Sequence, residues 1–438
     1  MDNFYTAVRL EEDLCRGCIN CIKRCPTQAI RVRNSKAVIK TEFCISCGEC
    51  IRICPYHAKK SIYDPLDSIN QYEYKIALPA PSLYAQFNNL DDTNIVLNGL
   101  INMGFDDVFE VSGAAEIVSS LTRKYIKEHR DKLPLISTAC PTITRLIQIR
   151  FPNLIDNLIP IIAPVDLAAH IAKERAIEKT GLDPDKIGIV FISPCPAKVS
   201  AVKNPIGIEK SDVNLVLSME NIYSKLLISM NEIKNKDNLE DLTISGKIGI
   251  SWGGSGGEAG GLLSDNYLAA DGIENVIRVL EDLEDEKLRD LEFIELNACS
   301  GGCVGGVLTV ENPFLAKVKI KRLRKNMPLE KSSLTTQVNE EAYMYWSKNI
   351  EYKPVYQLGV NMQESINMLR EVEVILNKFP GLDCGSCGAP SCRALAEDIV
   401  RGQASENDCI HIVRDYIHKL SEDIYLLDNK RTSKDMLS

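Results

Sequence analysis

The stretch Phe293-Ile-Glu-Leu-Asn-Ala-Cys299-Ser-Gly-Gly-Cys303-Val-Gly-Gly306 joins a short apolar run to two cysteines set among four glycines. A short apolar run bounded by turn residues reads as a buried strand, so Phe293 to Leu296 is expected to be a strand with both thiols just past its carboxyl end. The same arrangement recurs upstream. Cys140 follows Leu-Pro-Leu-Ile-Ser-Thr-Ala, and Cys195 follows Ile-Val-Phe-Ile-Ser-Pro. Lys75 to Leu78, Val108 to Val111, Leu133 to Ser137, Ile187 to Ser193 and Ile248 to Trp252 are further expected strands, separated by helical patterns such as Ala114 to Lys127 and Pro164 to Ile177. Strands alternating with helices predict an α/β domain with largely parallel sheets. Ligands bind such sheets outside the carboxyl ends of the strands. A single free cysteine there is most often a core residue, but Cys140, Cys195, Cys299 and Cys303 together point to one shared metal site.

The N-terminal segment holds a repeat. Cys15-Arg-Gly-Cys18-Ile-Asn-Cys21-Ile-Lys-Arg-Cys25-Pro26 returns 29 residues later as Cys44-Ile-Ser-Cys47-Gly-Glu-Cys50-Ile-Arg-Ile-Cys54-Pro55. Both halves follow C-x2-C-x2-C-x3-C-P, in which three closely spaced thiolates hold one cubane and the fourth crosses to the other. Cys15, Cys18, Cys21 and Cys54 are therefore expected to hold one 4Fe-4S cluster, and Cys44, Cys47, Cys50 and Cys25 the second. A zinc ribbon would need two separated C-x2-C pairs, not triplets. This segment reads as a two-cluster ferredoxin-like α+β module.

At the other end, Phe379-Pro-Gly-Leu-Asp-Cys384-Gly-Ser-Cys387-Gly-Ala-Pro-Ser-Cys392 precedes a helical pattern with Pro390 near its start, Leu395, Ile399 and Val400 on one face, and Gly402 as its stop. Cys409 follows. The spacing C-x2-C-x4-C-x16-C suffices for one more 4Fe-4S cluster in a small helical domain, with zinc as the competing occupant. Asn326 to Lys353 is polar and weakly patterned and reads as connector; its basic lead-in, Lys317 to Lys325, reads as a solvated helix face. The expected domains are 1–70, 71–325, a connector at 326–372, and 373–438.

The 438 residues, 45% hydrophobic and 25% charged, allow about two to four globular domains. Sixteen cysteines are too many for an ordinary reduced chain and too dilute for a disulfide miniprotein, and the three groups above absorb them all. The N-terminus lacks a basic, then apolar, targeting pattern, and the apolar segment Leu158 to Ala172 is interrupted by Asp166 and His170, so a cytoplasmic protein without a membrane span is expected. Net charge is −9, yet Met1 to Asp64 carry eleven Lys/Arg against seven Asp/Glu, leaving −13 for the remainder. That asymmetry does not suggest nucleic acid; a basic module could steer an acidic electron carrier. The five histidines, His57, His129, His170, His411 and His418, form no motif.

With the cysteine groups in hand, residues Ala77 to Phe314 resemble the H-cluster domain of FeFe-hydrogenases. Ser137-Thr-Ala139-Cys140-Pro141, Ser193-Pro-Cys195-Pro-Ala-Lys198, and Glu295-Leu-Asn-Ala-Cys299-Ser-Gly-Gly-Cys303-Val-Gly-Gly306 are similar to the three signatures of that family, and Gly104-Phe-Asp-Asp-Val-Phe-Glu110 to a further segment. The resemblance implies that Cys140, Cys195, Cys299 and Cys303 ligate a 4Fe-4S cubane. It implies that Cys303 also bridges to a diiron subcluster carrying CO, cyanide and a bridging dithiolate, inserted by hydrogenase maturation proteins. Lys198 matches the lysine that holds a cyanide ligand, and an ammonium suits that task as a compact, donor-rich charge.

The departures carry as much weight. Ala139 stands where strongly catalytic members place a proton-relaying cysteine, Asn297 replaces a methionine, and Ala201 falls where a glutamate is common. Ile117 to Ile126, matching the family's acidic proton-path helix, contains no Asp or Glu. Positioned proton transfer supplies about two to four orders of magnitude in rate, so slow turnover is expected. The pattern is similar to the sensory, PAS-lacking branch often called group D. Trp252-Gly-Gly-Ser-Gly-Gly-Glu258-Ala-Gly-Gly261 offers Glu258 as another proton route. The same loop reads G-x-G-x-x-A, a dinucleotide pattern, but glycines that let backbone approach a cluster account for it better.

The leading reading is therefore a multidomain α/β iron–sulfur protein with four 4Fe-4S clusters and a diiron subcluster. It would interconvert H2 with protons and electrons slowly, as a hydrogen or redox sensor, using a carrier such as ferredoxin and a signalling partner. One alternative is a bulk ferredoxin-linked hydrogenase of fermentation. Another is a cubane-only scaffold in electron transfer or cluster assembly.

Overall fold

The computed structural model describes residues 5–234, 239–331 and 341–435, with the side chains of 341, 342 and 428–435 outside the description. The chain forms two compact units, and neither is a continuous stretch. The first gathers residues 1–9, 44–52 and 60–353; the second gathers 10–43, 53–59 and 354–438.

The first unit is built on two parallel sheets. One runs Asp107–Val108, Tyr74–Pro79, Ile187–Ser193, Leu215–Ser218 in spatial order, with Leu78 opposite Phe191 and Val190 opposite Leu215. Every residue of Ile187–Ser193 is buried, which explains its unbroken apolar run. The other sheet places Phe293–Asn297 between Tyr267–Asp271 and Leu135–Ile136. Helices Val111–Glu128 and Pro164–Thr180 contribute Ala114, Ile117, Leu167 and Ala168 to the same core. Burial of each large side chain there contributes roughly 1.5–3 kcal/mol.

Three expectations change, the first being that Leu133 to Ser137 contracts to the two-residue strand Leu135–Ile136. Ile248 to Trp252 is a helix, Lys247–Ser251, and not a strand. The run lies against helix Val111–Glu128 so closely that a Cβ at Gly249 would meet the Ser112 carbonyl oxygen at 2.1 Å. Its backbone amides turn inward to the buried Glu116 carboxylate, Gly246 N at 2.6 Å and Gly249 N at 3.2 Å, which a strand could not arrange. Val108 to Val111 also shortens, because the strand ends at Val108 and Val111 opens the following helix. Strands Leu215–Ser218 and Tyr267–Asp271 were not among those expected. The described part of Asn326 to Lys353 belongs to the first unit, where Trp346 N donates to the Pro160 carbonyl and Lys353 N to that of Gln148. Residues 354–372, also expected as connector, fall in the second unit and hold the start of a helix, Met362–Leu376.

The second unit contains the antiparallel hairpin Ile30–Arg33/Lys36–Ile39, helix Asn20–Arg24, and helices Met362–Leu376, Cys392–Val400 and Ile410–Asp435. Its C-terminal part packs around Val372, Phe379, Leu395 and Cys409. Helix Cys392–Val400 is capped by Ser391 and followed by Gly402 at φ +70°. Among the described residues, no helix is long and apolar enough to cross a membrane.

Candidate metal centres

The two Cys-Pro pairs of the first unit share one local device. Cys140 is the N-cap of helix Pro141–Arg150 and Cys195 that of Pro196–Lys203, each with proline at the first helical position. Proline fits there because its missing N–H would have had no intrahelical partner. The two cysteines thus sit just past strands Leu135–Ile136 and Ile187–Ser193, at the start of the helix that follows each. Cys299 and Cys303 come from the loop after Phe293–Asn297, whose glycines are required by close approach. A Cβ at Gly302 (φ +86°) would meet Ser255 N at 2.3 Å, and one at Gly306 would meet the Pro194 oxygen at 2.2 Å.

These four cysteines, together with Ala139, Lys198, Glu258 and Ser82, line one cavity whose empty space is about 910 Å³ with its opening to solvent included. Burial, and the proximity of Cys195 and Cys140, push the Cys303 thiol up to about 12, with Lys198 opposing; burial likewise raises Cys195 to about 11 and Cys299 well above its ordinary value. Cys140 and Cys195 both act on the Cys299 and Cys303 thiols, as sulfurs around a common centre would. Iron would replace their protons, so affinity and folding are coupled.

The cavity also contains donors suited to an anionic group. Ser82 is fully buried, and its hydroxyl has no hydrogen-bond partner among the described residues, a cost that a bound acceptor would remove. Lys198 Nζ stands 2.9 Å from the Ala139 carbonyl oxygen. The lining therefore fits a cubane with an attached anionic subcluster. Ala139 presents only a methyl group, but its amide donates to Ser137 Oγ (3.2 Å), and that hydroxyl donates to Glu258 Oε2 (2.6 Å). Burial, reinforced by the charge of Glu295, pushes the Glu258 carboxyl up to about 8. Glu295 is held by Gly256 N, Ala259 N and the Asn297 amide. Ser82 and, as a site residue, Glu295 escaped the sequence reading. The available signals were Ala80-Pro-Ser82 after a strand and a charged residue inside an apolar one.

The loop bearing Cys44, Cys47 and Cys50 lies beside this cavity, and Cys47 lines it. Arg52 donates to the Gly305 carbonyl at 2.7 Å, and a Cβ at Gly48 would meet Val307 at 2.7 Å. In the second unit, Ala29 N donates to Cys25 Sγ at 3.2 Å and Ala58 N to Cys54 Sγ at 3.3 Å. These bonds repeat at the 29-residue offset. So do the left-handed residues, Gly17 with Ser46 and Gln28 with His57, so the sequence repeat is also a conformational one. Lys59 is 2% exposed, and its ammonium has no hydrogen-bond partner among the described residues. It lowers the Cys21 thiol, although burial dominates and raises that group to about 11. An anionic cluster would pair that charge.

Cys384, Cys387, Cys392 and Cys409 line a separate cavity in the second unit. His411 Nε2 approaches Cys384 Sγ at 3.8 Å. Hydrogen bonds from the Ser386 amide and hydroxyl lead in pulling the Cys384 thiol down to about 7, opposed by burial and helped by His411.

Comparison with known proteins agrees with this geometry. The family model described as iron only hydrogenase large subunit, C-terminal domain, matches residues 73–264 and 258–307. A 4Fe-4S dicluster domain matches 7–55, and a putative Fe-S cluster domain matches 379–411. The chain is 27% identical over 385 residues to iron hydrogenase 1 of Clostridium pasteurianum, covering 71% of this chain and 66% of that protein. It is 24% identical over 358 residues to the NADP-reducing hydrogenase subunit HndD of Solidesulfovibrio fructosivorans, covering 68% and 56%. A structure of HydA1 from Chlamydomonas reinhardtii aligns with 56% of this chain and 83% of its own at 16% identity, with a TM-score of 0.43. The chain thus spans about half to two thirds of the length of the curated relatives it matches. With the hydrogenase domain model covering more than half of its residues, the chain belongs to the iron-only hydrogenase family and is an iron–sulfur protein with ferredoxin-like and C-terminal Fe–S modules.

Proposed function

We propose that this protein interconverts H2 with protons and electrons slowly, and that it serves as a hydrogen or redox sensor whose output passes to a partner. Cys140, Cys195, Cys299 and Cys303 would hold the cubane, Cys303 the link to the diiron unit, and Lys198 and Ser82 its anionic ligands. When bound, that unit supplies the metal chemistry of H2 splitting and formation. The rest is the work of the chain. Pro81, Val165 and Phe191 give the cavity an apolar wall that limits water. Glu258 holds a proton at neutral pH; when the Ser137 hydroxyl turns to accept that proton, it can offer its own hydrogen to the cavity beside Ala139. The loop of Cys44, Cys47 and Cys50 would pass electrons to and from the cavity, fed by a carrier such as ferredoxin.

The observation that carries the reading is the Ala139 methyl in the cavity wall where a titratable side chain would stand, with the residue's amide two hydrogen bonds, through Ser137, from a buried acid. A bulk hydrogenase would be expected to keep a direct relay there. The test is infrared spectroscopy and H/D exchange on the matured full chain. CO and cyanide bands with slow exchange are expected. Absence of both would leave the cubane-only scaffold, and exchange at the rate of a relay-bearing hydrogenase would overturn the sensor reading.

A further inference from the structure

In the second unit, two cysteine sets lie against each other. The C-terminal loop rests on the first ferredoxin-like repeat through main-chain contacts. Val32 N donates to the Gly388 carbonyl at 2.8 Å, Arg33 Nη1 to the Cys387 carbonyl at 3.1 Å, and Lys23 Nζ to that of Pro390 at 3.2 Å. The approach is close enough to need glycine at two positions, each directly after a cysteine. A Cβ at Gly388 (φ +78°) would meet the Val32 oxygen at 2.0 Å. One at Gly385 (φ +82°) would lie 3.1 Å from Lys23 Cε and 3.4 Å from Ile22 Cδ1, and Ile22 directly follows Cys21.

One buried carboxylate clamps the contact. Asp398, on helix Cys392–Val400, has a side chain 1% exposed and receives Arg31 Nε (2.5 Å), Arg33 Nη2 (3.0 Å) and Lys40 Nζ (2.8 Å) from the hairpin. Three cations around one buried anion leave positive charge uncompensated, which is costly in a dry interface unless anionic groups lie nearby. Anionic cubanes in the two cysteine sets would supply that compensation.

We propose that the cluster of Cys384, Cys387, Cys392 and Cys409 exchanges single electrons directly with that of Cys15, Cys18, Cys21 and Cys54, with Asp398 as the positioning residue. The inference rests on the reading that both sets hold 4Fe-4S clusters. In each exchange one cubane is oxidised by one electron and the other reduced by one; no bond breaks and no proton moves. The C-terminal domain is then a terminal of the electron chain that reports the redox state of the first cluster.

The test is electron paramagnetic resonance of the dithionite-reduced, iron-reconstituted full chain, comparing wild type, Asp398→Asn, the milder Arg33→Met and the conservative Asp398→Glu. Iron and zinc are counted in each sample. Wild type is expected to show the coupling within the ferredoxin-like pair plus a further broadening from the C-terminal spin, and Cys384→Ser removes only that further broadening. Asp398→Asn and Arg33→Met should keep their iron, lose hydrogen-exchange protection at the Val32 amide and lose that further broadening, while Asp398→Glu keeps most of it. A C-terminal cluster signal without that further broadening in iron-replete wild type, or unchanged broadening after undocking, would overturn the inference. Zinc in place of iron at the C-terminal site would overturn the reading beneath it and the inference with it.

Discussion

Ser137 donates its hydroxyl hydrogen to Glu258 across 2.6 Å while accepting the amide of Ala139, so one serine ties the relay-deficient position to a buried acid. Glu258 keeps its proton to about pH 8 because burial, and then the Glu295 charge, penalise the carboxylate. A group poised that near neutrality can give and retake a proton. Glu258→Gln, which preserves shape but cannot exchange a proton, is expected to lower H2 turnover at pH 7 by about a hundredfold. Iron content and diatomic-ligand bands should stay unchanged. Because the acid form is the donor, wild-type proton delivery should decline as pH rises through about 8, while the variant shows no such step. A carboxylic C=O stretch present at pH 7 and absent in Glu258→Gln would check the protonation state directly.

Ala139→Cys tests the other half of the argument. The side chain at this position lines the cavity, and a thiol there would offer a proton without the detour through Ser137. Turnover is expected to rise by at least about tenfold, and the defect of Glu258→Gln should shrink in the double variant because a second donor is in place. Equal rates for Ala139→Cys and wild type, at equal cofactor loading, would show that proton supply does not limit this protein.

Much of this site could be read before any fold was seen, because cysteine spacing is a local property and cluster ligation is a local demand. The alternation of apolar runs with helical patterns likewise marked strands Tyr74–Pro79, Ile187–Ser193 and Phe293–Asn297. The reading failed where partners are remote. Lys247–Ser251 is an apolar run of strand length whose amides meet partners remote in sequence, Glu116 on another helix and the Pro328 and Leu329 carbonyls; periodicity cannot separate a short buried strand from a short buried helix. Asp398 meets its cations across 358 to 367 positions of sequence, so nothing near it signals the clamp. Glu295 enters the sequence reading only as the first residue of a signature, because its partners, the amides of Gly256 and Ala259, lie 39 and 36 positions away.

Glu110 shows how a residue inside a family-like segment can be structural. It is 1% exposed and accepts from Tyr84 Oη (2.6 Å), Ile244 N (2.6 Å), Ser245 N (3.1 Å), Thr243 Oγ1 (3.0 Å) and Ser245 Oγ (3.0 Å). Glu110→Ala strands five donors, and each buried unsatisfied group costs about 1–3 kcal/mol. Allowing for partial rescue by water, the variant is expected to lose roughly 3 kcal/mol or more. A clear fall in the urea midpoint of unfolding would record it. Material that still folds should carry normal cluster spectra, since Glu110 bonds to no cysteine in this structure.

Lys59 makes the sharpest electrostatic prediction. Its ammonium is buried without a hydrogen-bond partner among the described residues, in the unit that holds Cys15, Cys18, Cys21 and Cys54, and it already opposes protonation of Cys21. A buried cation beside a cluster stabilises the reduced, more negative form. Lys59→Met keeps most of the apolar stem and removes the charge. At an effective dielectric of about 20, a unit charge several ångströms away contributes on the order of 1–2 kcal/mol, so the first cluster should become harder to reduce by several tens of millivolts. A spectroscopic redox titration that resolves the clusters would show this one moving negative while the C-terminal and central clusters stay in place. A purely structural lysine gives the opposite pattern. Relief of a buried unpaired charge would then raise stability and leave every potential where it was, so measuring both quantities on one sample decides between the two roles.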